Sequence, residues 1–106
     1  MKQLSVRELA DWLADTSREQ PLLLDVREPW EVEKASLPGV TSIPMQQIPA
    51  RAGELDSERE IVAVCHHGGR SMQVALFLEQ QGFKVQNLAG GTDAWSREVD
   101  PAVPRY

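Results

Sequence analysis

Cysteine is almost absent from this sequence. Among its 106 residues there is one cysteine, so no disulfide can form within the chain. The absence of a disulfide framework is typical of proteins from reducing compartments, and we expect a cytoplasmic protein. A lone cysteine also limits the possible chemistry, because an oxidised or sulfur-loaded form of it must be resolved by a second molecule.

Long apolar runs and an excess of positive charge are lacking as well. No apolar stretch approaches the roughly 20 residues that cross a bilayer, and residues 1–8 lack the apolar core of a secretion signal. Lys and Arg together number 11 against 16 Asp and Glu, which gives a net charge of −5. Such a chain is poorly suited to nucleic acid or to anionic membranes, so we expect neither as a partner.

What remains is the composition of an ordinary globular domain. Hydrophobic residues make up 42% of the sequence and charged residues 25%. A length of 106 residues allows one well-packed core but not two, so we expect a single domain over residues 1–106. No feature of the sequence indicates an obligate dimer, and we expect a monomer.

Short apolar runs alternate with helical patterns along the chain. Ser5 and Glu8 have the spacing of a capping box and predict a first helix over residues 6–14. Further helices are predicted at 28–34, 46–53, 71–81 and 92–99, strands at 22–26, 40–43, 61–64 and within 83–88, and an irregular tail at 100–106. This alternation predicts an α/β fold whose parallel sheet is covered on both faces. The three tryptophans are expected to pack helices against the sheet: Trp12, Trp30 and Trp95.

The most informative segment is 61–71, where four apolar residues lead into Cys65 and a helical pattern follows the loop. A helix N-terminus carries partial positive charge and unpaired N–H groups, which favour the reactive thiolate. Gly68 and Gly69 are expected to let successive N–H groups turn toward the sulfur. Arg70 adds a permanent positive charge. We therefore predict a nucleophilic cysteine in a loop that can hold a second sulfur atom or an anion.

Two further groups of residues are candidates for the site. In parallel sheets, sites lie beyond the carboxyl ends of strands, where Asp25 and Arg27 also fall. They either support the loop and meet substrate or form a surface ion network. His66 and His67 either face a substrate or are simply exposed loop histidines. Because these histidines directly follow Cys65, without the separation of a zinc ligand set, we expect no metal.

Three segments together resemble the rhodanese (thiosulfate sulfurtransferase) homology family in its small single-domain form. They are residues 22–31 (LLLDVREPWE), 65–71 (CHHGGRS) and 88–95 (LAGGTDAW), and they occur in the family's order over nearly the whole chain. The resemblance implies a rhodanese-like fold, with a central parallel sheet of about five short strands and helices on both faces.

The resemblance also implies a sulfurtransferase that needs no cofactor. Cys65 would be the catalytic nucleophile and persulfide carrier, taking sulfur from an anionic donor such as thiosulfate and passing it to a thiol, cyanide or protein. The loop that would bind the persulfide or anion consists of His66, His67, Gly68, Gly69, Arg70 and Ser71. In the family, the acidic residue that matches Asp25 hydrogen-bonds toward this loop, and Arg27 would be a second supporting residue.

Two other functions stay open. One is a non-catalytic module of the same family that binds proteins or senses redox state. The other is a phosphatase or arsenate reductase, which is less expected because phosphatase loops have one residue more between cysteine and arginine. Here four residues separate Cys65 from Arg70, and Ser71 stands where a phosphatase needs its arginine. The shorter loop leaves less room for a tetrahedral oxyanion but still fits one sulfur atom.

Overall fold

The computed structural model describes all 106 residues and contains a five-stranded parallel sheet in the order β1-β5-β4-β2-β3. The strands are β1 (Lys2–Leu4), β2 (Leu22–Asp25), β3 (Thr41–Ser42), β4 (Glu60–Val64) and β5 (Lys84–Leu88). The helices are α1 (Val6–Ala14), α2 (Pro29–Lys34), α3 (Ile48–Arg51), α4 (Gly69–Gln80) and α5 (Gly91–Glu98). The predicted α/β class is confirmed. None of these helices has the length and apolar character that crossing a membrane requires.

The central strand β4 is buried on both faces, as the continuous apolar run predicts. Its side chains alternate between two apolar clusters, so that Val62 and Val64 belong to one and Ile61 and Ala63 to the other. The first cluster includes buried side chains of α1 and α5, and the second includes those of α3 and α4. Cys65 follows β4 directly and lies at the edge of the second cluster. The helices therefore cover both faces and leave the carboxyl ends of the strands free for a site.

Most predicted elements are present, with differences at the sheet edges. The capping box of α1 forms both of its reciprocal hydrogen bonds, between Ser5 and Glu8. The edge strand β3 is only two exposed residues long, shorter than the predicted 40–43. The other edge strand, β1, was not predicted. Of its three residues only Leu4 is buried, so it has no apolar run, and it is a strand only because it pairs with β5.

The prediction for the tryptophans is right for two of them and wrong for the third. Trp12 and Trp95 are buried between helices and sheet. Trp30 is 59% exposed and makes only an edge-to-face ring contact with Tyr106, at a centroid distance of 6.0 Å. The reason lies in α2, whose one buried residue is Glu31. This short helix turns a carboxylate inward, and the neighbouring aromatic ring consequently points to solvent.

Candidate active site

The Cys65 sulfur lies in a ring of hydrogen-bond donors from the loop that follows it. Its Sγ accepts hydrogen bonds from the N–H groups of Gly68, at 3.1 Å, and Ser71, at 3.3 Å, and the Ser71 hydroxyl is 3.2 Å away. Cys65 itself is only 1% exposed. The sulfur is therefore buried among polar N–H donors on one side and apolar side chains on the other.

The two loop glycines have different roles. Gly68 has a φ of 104°, a left-handed conformation that lets its N–H point back at the sulfur. Gly69 has no positive φ and is already the first residue of α4. The expectation that both glycines turn their N–H groups toward the sulfur is therefore confirmed for Gly68 only, because the second N–H donor is that of Ser71. The main chain turns at Gly68 alone. Helix α4, which supplies the N–H group of Ser71, begins at the next residue.

The start of α5 closes the loop from the other side. The N–H of Thr92 donates to the Cys65 carbonyl at 2.9 Å, and that of Asp93 donates to the His66 carbonyl at 3.0 Å. These are first-turn amides of α5, which have no partner inside their own helix. Gly91, just before them, has a φ of 58° and packs directly against the loop backbone. The third sequence segment thus binds the active-site loop through main-chain contacts.

Arg70 is paired with a buried carboxylate that the sequence analysis did not single out. Its two terminal nitrogens donate to the two oxygens of Glu31, at 2.7 and 2.9 Å. The Glu31 side chain is 5% exposed and that of Arg70 is 39% exposed. The Arg70 hydrogen bonds lower the pKa of Glu31 to about 2, and the same contact raises the pKa of Arg70. The cation expected to attract an anionic donor is therefore neutralised by its partner on α2.

Asp25 and Arg27 form a buried pair beneath the loop. The Arg27 guanidinium is fully buried and donates to both Asp25 oxygens and to the Ala35 carbonyl. The alternative of a surface ion network is therefore wrong. The Asp25 carboxylate accepts hydrogen bonds from Arg27 alone, so the expectation that it bonds toward the loop is wrong as well. Both residues instead hold the end of β2 to the C-terminal end of α2.

Tyr106, in the irregular tail, is a site residue that the sequence did not reveal. Its ring stacks on His66 with a centroid distance of 4.0 Å and an interplanar angle of 14°. Its hydroxyl donates to Glu31 at 2.8 Å and accepts from Arg27 at 2.8 Å. No local pattern could have placed it there, because these partners are 75 and 79 residues away in sequence.

The two loop histidines differ in environment. His66 is half-buried, whereas His67 is exposed. Burial, followed by the neighbouring His67, lowers the pKa of His66, so its ring is expected to be neutral near pH 7. Its buried Nε2 has no hydrogen-bond partner. His66 thus forms part of the wall of the site, while His67 lies at its rim.

A third group of polar side chains lies beside the loop. One ligand atom each from His66, His67 and Asp93 falls within a distance of 4.8 Å. Both oxygens of Asp93 already accept hydrogen bonds, from Arg97 at 3.0 Å and from Arg105 at 3.1 Å. The two arginines therefore compete with any metal ion for the only carboxylate of this cluster.

The contact between Glu31 and Arg70 predicts a pH-dependent contribution to stability. The folded-state pKa of Glu31 is about 2 and its ordinary value is 4.5, so the contribution is present above pH 4.5 and is lost as the pH falls toward 2. Glu31→Gln should lower the free energy of unfolding by about 1–3 kcal/mol at neutral pH. Denaturant unfolding from pH 7 down to pH 2 would measure the difference, which should shrink below pH 4.5.

A matched control is Glu54→Gln, since Glu54 pairs with Arg51 on the surface. An exposed pair contributes little, so the free energy of unfolding should fall much less than in Glu31→Gln at neutral pH and should not depend on the pH in the same way. A Glu31→Gln difference that is the same at neutral and at acid pH would contradict the prediction.

The chain is similar to known proteins over nearly its whole length. The model of the rhodanese-like domain matches residues 5–98. A protein named sulfurtransferase from Allochromatium vinosum is 38% identical over 104 residues, which cover 97% of this chain and 95% of that protein. The rhodanese-like/PpiC domain-containing protein 12 of Arabidopsis thaliana is 43% identical over all of this chain, which spans only 38% of that protein. A solved rhodanese-like domain protein from Staphylococcus aureus superposes with a TM-score of 0.84 at 30% identity, over 93% of this chain and 95% of that one.

Proposed function

This chain belongs to the rhodanese-like domain family, and we propose that it transfers sulfane sulfur through a persulfide on Cys65. The name of the Allochromatium relative, which matches in length, supports sulfur transfer in general. The observation that carries the proposal is the convergence of two N–H groups, from Gly68 and Ser71, on the Cys65 sulfur. Such donors stabilise negative charge on the attacking sulfur and on a persulfide that replaces it.

In the first step, the Cys65 thiolate attacks the outer sulfur atom of a donor such as thiosulfate. The sulfur–sulfur bond of thiosulfate breaks, sulfite leaves with the bonding electron pair, and Cys65 becomes a persulfide. Because Cys65 is 1% exposed, the outer sulfur of the donor has to enter the loop to reach the thiolate. The half-exposed side chain of Arg70 lies at the outside of the loop, where its charge is shared with Glu31.

In the second step, a nucleophilic acceptor attacks the outer sulfur of the persulfide. The new bond forms to the acceptor, and the electron pair of the persulfide bond returns to Cys65 as a thiolate. Cyanide, a small thiol or a protein thiol can act as acceptor. No cofactor enters either step, and we propose that a monomer in the cytoplasm carries out both.

A second candidate function is a non-catalytic module that binds proteins or senses redox state. The observation that favours it is the burial of Cys65, because an inaccessible thiol reacts slowly. The two functions differ in what happens to the thiol on contact with a sulfur donor, and this difference can be measured directly.

The test is the intact mass of the protein after incubation with thiosulfate and, separately, with a low-molecular-weight persulfide. We expect the wild type to gain one sulfur atom, which a thiol acceptor then removes. Cys65→Ala should gain none with either donor. If the wild type gains no sulfur from either donor and its thiol alkylates slowly near neutral pH, the binding module is the better description.

A further inference from the structure

A series of buried hydrogen bonds, called here the hydrogen-bond chain, links the Cys65 sulfur to β5 and then to β1. The Ser71 hydroxyl lies 3.2 Å from the sulfur and 2.5 Å from Oδ1 of Asn87. The Asn87 amide nitrogen donates to the Gly68 carbonyl at 3.0 Å and to Oε1 of Gln3 at 2.8 Å. Ser71 is 0% exposed and Asn87 is 2% exposed. Water therefore does not supply alternative partners to these groups.

The orientation of the Asn87 amide follows from its partners. The Gly68 carbonyl is only an acceptor, so the NH₂ group must face it, and Oδ1 must face Ser71. Oδ1 carries no hydrogen, and hence the Ser71 hydroxyl has to be the donor in that contact. A hydroxyl has one hydrogen. Once it is given to Asn87, the Ser71 oxygen offers only lone pairs to the sulfur.

The contact between Ser71 and Asn87 affects the thiol and the thiolate forms of Cys65 differently. A thiol can donate its hydrogen to the Ser71 oxygen, and every polar group in the hydrogen-bond chain then has a hydrogen-bond partner. A thiolate meets a lone pair at 3.2 Å unless the hydroxyl turns toward it, and turning leaves the buried Oδ1 of Asn87 without a donor. An unsatisfied buried acceptor is unfavourable. The Gly68 and Ser71 amides favour the thiolate, whereas this contact opposes it.

We propose that Asn87 is a positioning residue that restrains ionisation of Cys65 by holding the Ser71 hydroxyl proton away from the sulfur. The inference rests on the proposed role of Cys65 as the sulfur carrier, because it concerns how the ionisation of that thiol is restrained before a donor binds. Asn87 touches neither the sulfur nor a substrate and acts only through Ser71. The sequence contains no signal for it, since β5 places this polar side chain against α4 only in the folded protein.

No titratable or charged side chain other than Cys65 forms a hydrogen bond with the side chain of Ser71 or Asn87. Those around the loop are the pair of Arg70 on α4 and Glu31 on α2, the buried pair Asp25 and Arg27 at the end of β2, the histidines His66 and His67, Tyr106 in the tail, and Asp93 on α5 with Arg97 and Arg105. None of them hydrogen-bonds to Ser71 or Asn87. Variants at these two positions therefore leave the surrounding charges paired as they are.

The experiment is the rate of alkylation of Cys65 by iodoacetamide as a function of pH. Asn87→Ala frees the Ser71 hydroxyl to donate to the sulfur. We therefore expect the midpoint of the curve of alkylation rate against pH to move to lower pH. At a pH below the wild-type midpoint, the alkylation rate should rise about tenfold. Asn87→Asp keeps an acceptor for Ser71 and adds a negative charge, so its midpoint should move to higher pH. Both variants lose the bond to the Gly68 carbonyl, which makes each the control for the other.

Ser71→Ala completes the test, because it removes the hydroxyl through which Asn87 acts. In this background, Asn87→Ala should produce no further shift of the midpoint. Shifts of Asn87→Ala and Asn87→Asp in the same direction, or an undiminished Asn87→Ala shift without Ser71, would overturn the proposal in favour of a purely structural role. If Asn87→Ala does not fold, Asn87→Leu takes its place with and without Ser71→Ala, because leucine is close to asparagine in size and likewise offers the Ser71 hydroxyl no acceptor. Alkylation needs no sulfur donor, so failure here is distinct from failure of sulfur transfer.

Discussion

Replacement of Cys65 by serine is expected to reduce sulfur transfer from thiosulfate to cyanide by at least about 1,000-fold. The serine oxygen is a weak nucleophile at neutral pH and cannot form the sulfur–sulfur bond of a persulfide. The substitution should leave the fold intact, because the Gly68 and Ser71 N–H groups can donate to a serine oxygen as they do to sulfur. Thiocyanate formation under steady-state conditions measures the first effect, and denaturant unfolding measures the second.

The matched control is Leu76→Ser, on the exposed side of the helix that follows the loop. This variant also replaces an apolar side chain by serine, and it should retain the turnover of the wild type. Retention of more than about a tenth of the wild-type turnover by Cys65→Ser would show that sulfur is not carried on this residue. Together, the two variants separate loss of the nucleophile from a general effect on the domain.

The largest expected effect on stability is that of Gly91→Ala. A Cβ atom at this position would lie 2.3 Å from the Cys65 carbonyl oxygen and 2.5 Å from that of His66. These are backbone atoms that cannot rotate away, and the φ of 58° is also unfavourable for alanine. The start of α5 or the active-site loop must therefore shift. We expect the free energy of unfolding to fall by about 3–5 kcal/mol.

The same shift should disturb the site. The hydrogen bonds from Thr92 and Asp93 to the loop carbonyls depend on the close approach that Gly91 allows. Denaturant unfolding with the Cys65 alkylation rate as a second readout would therefore show a less stable protein with altered thiol reactivity. Thiol reactivity at concentrations of denaturant where the protein is still folded distinguishes a displaced loop from unfolding.

Two glycines serve as controls for this prediction. A Cβ atom at Gly53 or Gly69 would meet no atom within 4 Å, and neither residue has a positive φ. Gly53→Ala and Gly69→Ala should each change the free energy of unfolding by less than about 1 kcal/mol. Gly69→Ala is the more demanding control, because this residue lies in the active-site loop itself. Equal stability of Gly91→Ala and Gly69→Ala would contradict the packing argument.

Helix α2 inverts the burial that its residue types predict. A tryptophan is normally assigned to the core and a glutamate to the surface, yet Trp30 is exposed and Glu31 is buried. The inversion is stable because Glu31 finds three buried or half-buried donors in Arg70, Tyr106 and its own helix start. A buried carboxylate needs such partners. Two of them, Arg70 and Tyr106, come from distant parts of the chain, so the sequence around α2 contains no sign of them.

The amino-acid sequence by itself determined the elements that depend on neighbours along the chain. The capping box of α1, the apolar run of β4 and the thiol at a strand–loop–helix junction are all local patterns, and each is present in the structure. Only the tertiary structure decided which polar groups of the site are paired: Arg70 with Glu31, Arg27 with Asp25, and the Ser71 hydroxyl as donor to Asn87 Oδ1. These contacts depend on groups brought together by packing of the sheet, and hydrogen bonds between distant residues have no periodicity in the sequence from which to predict them.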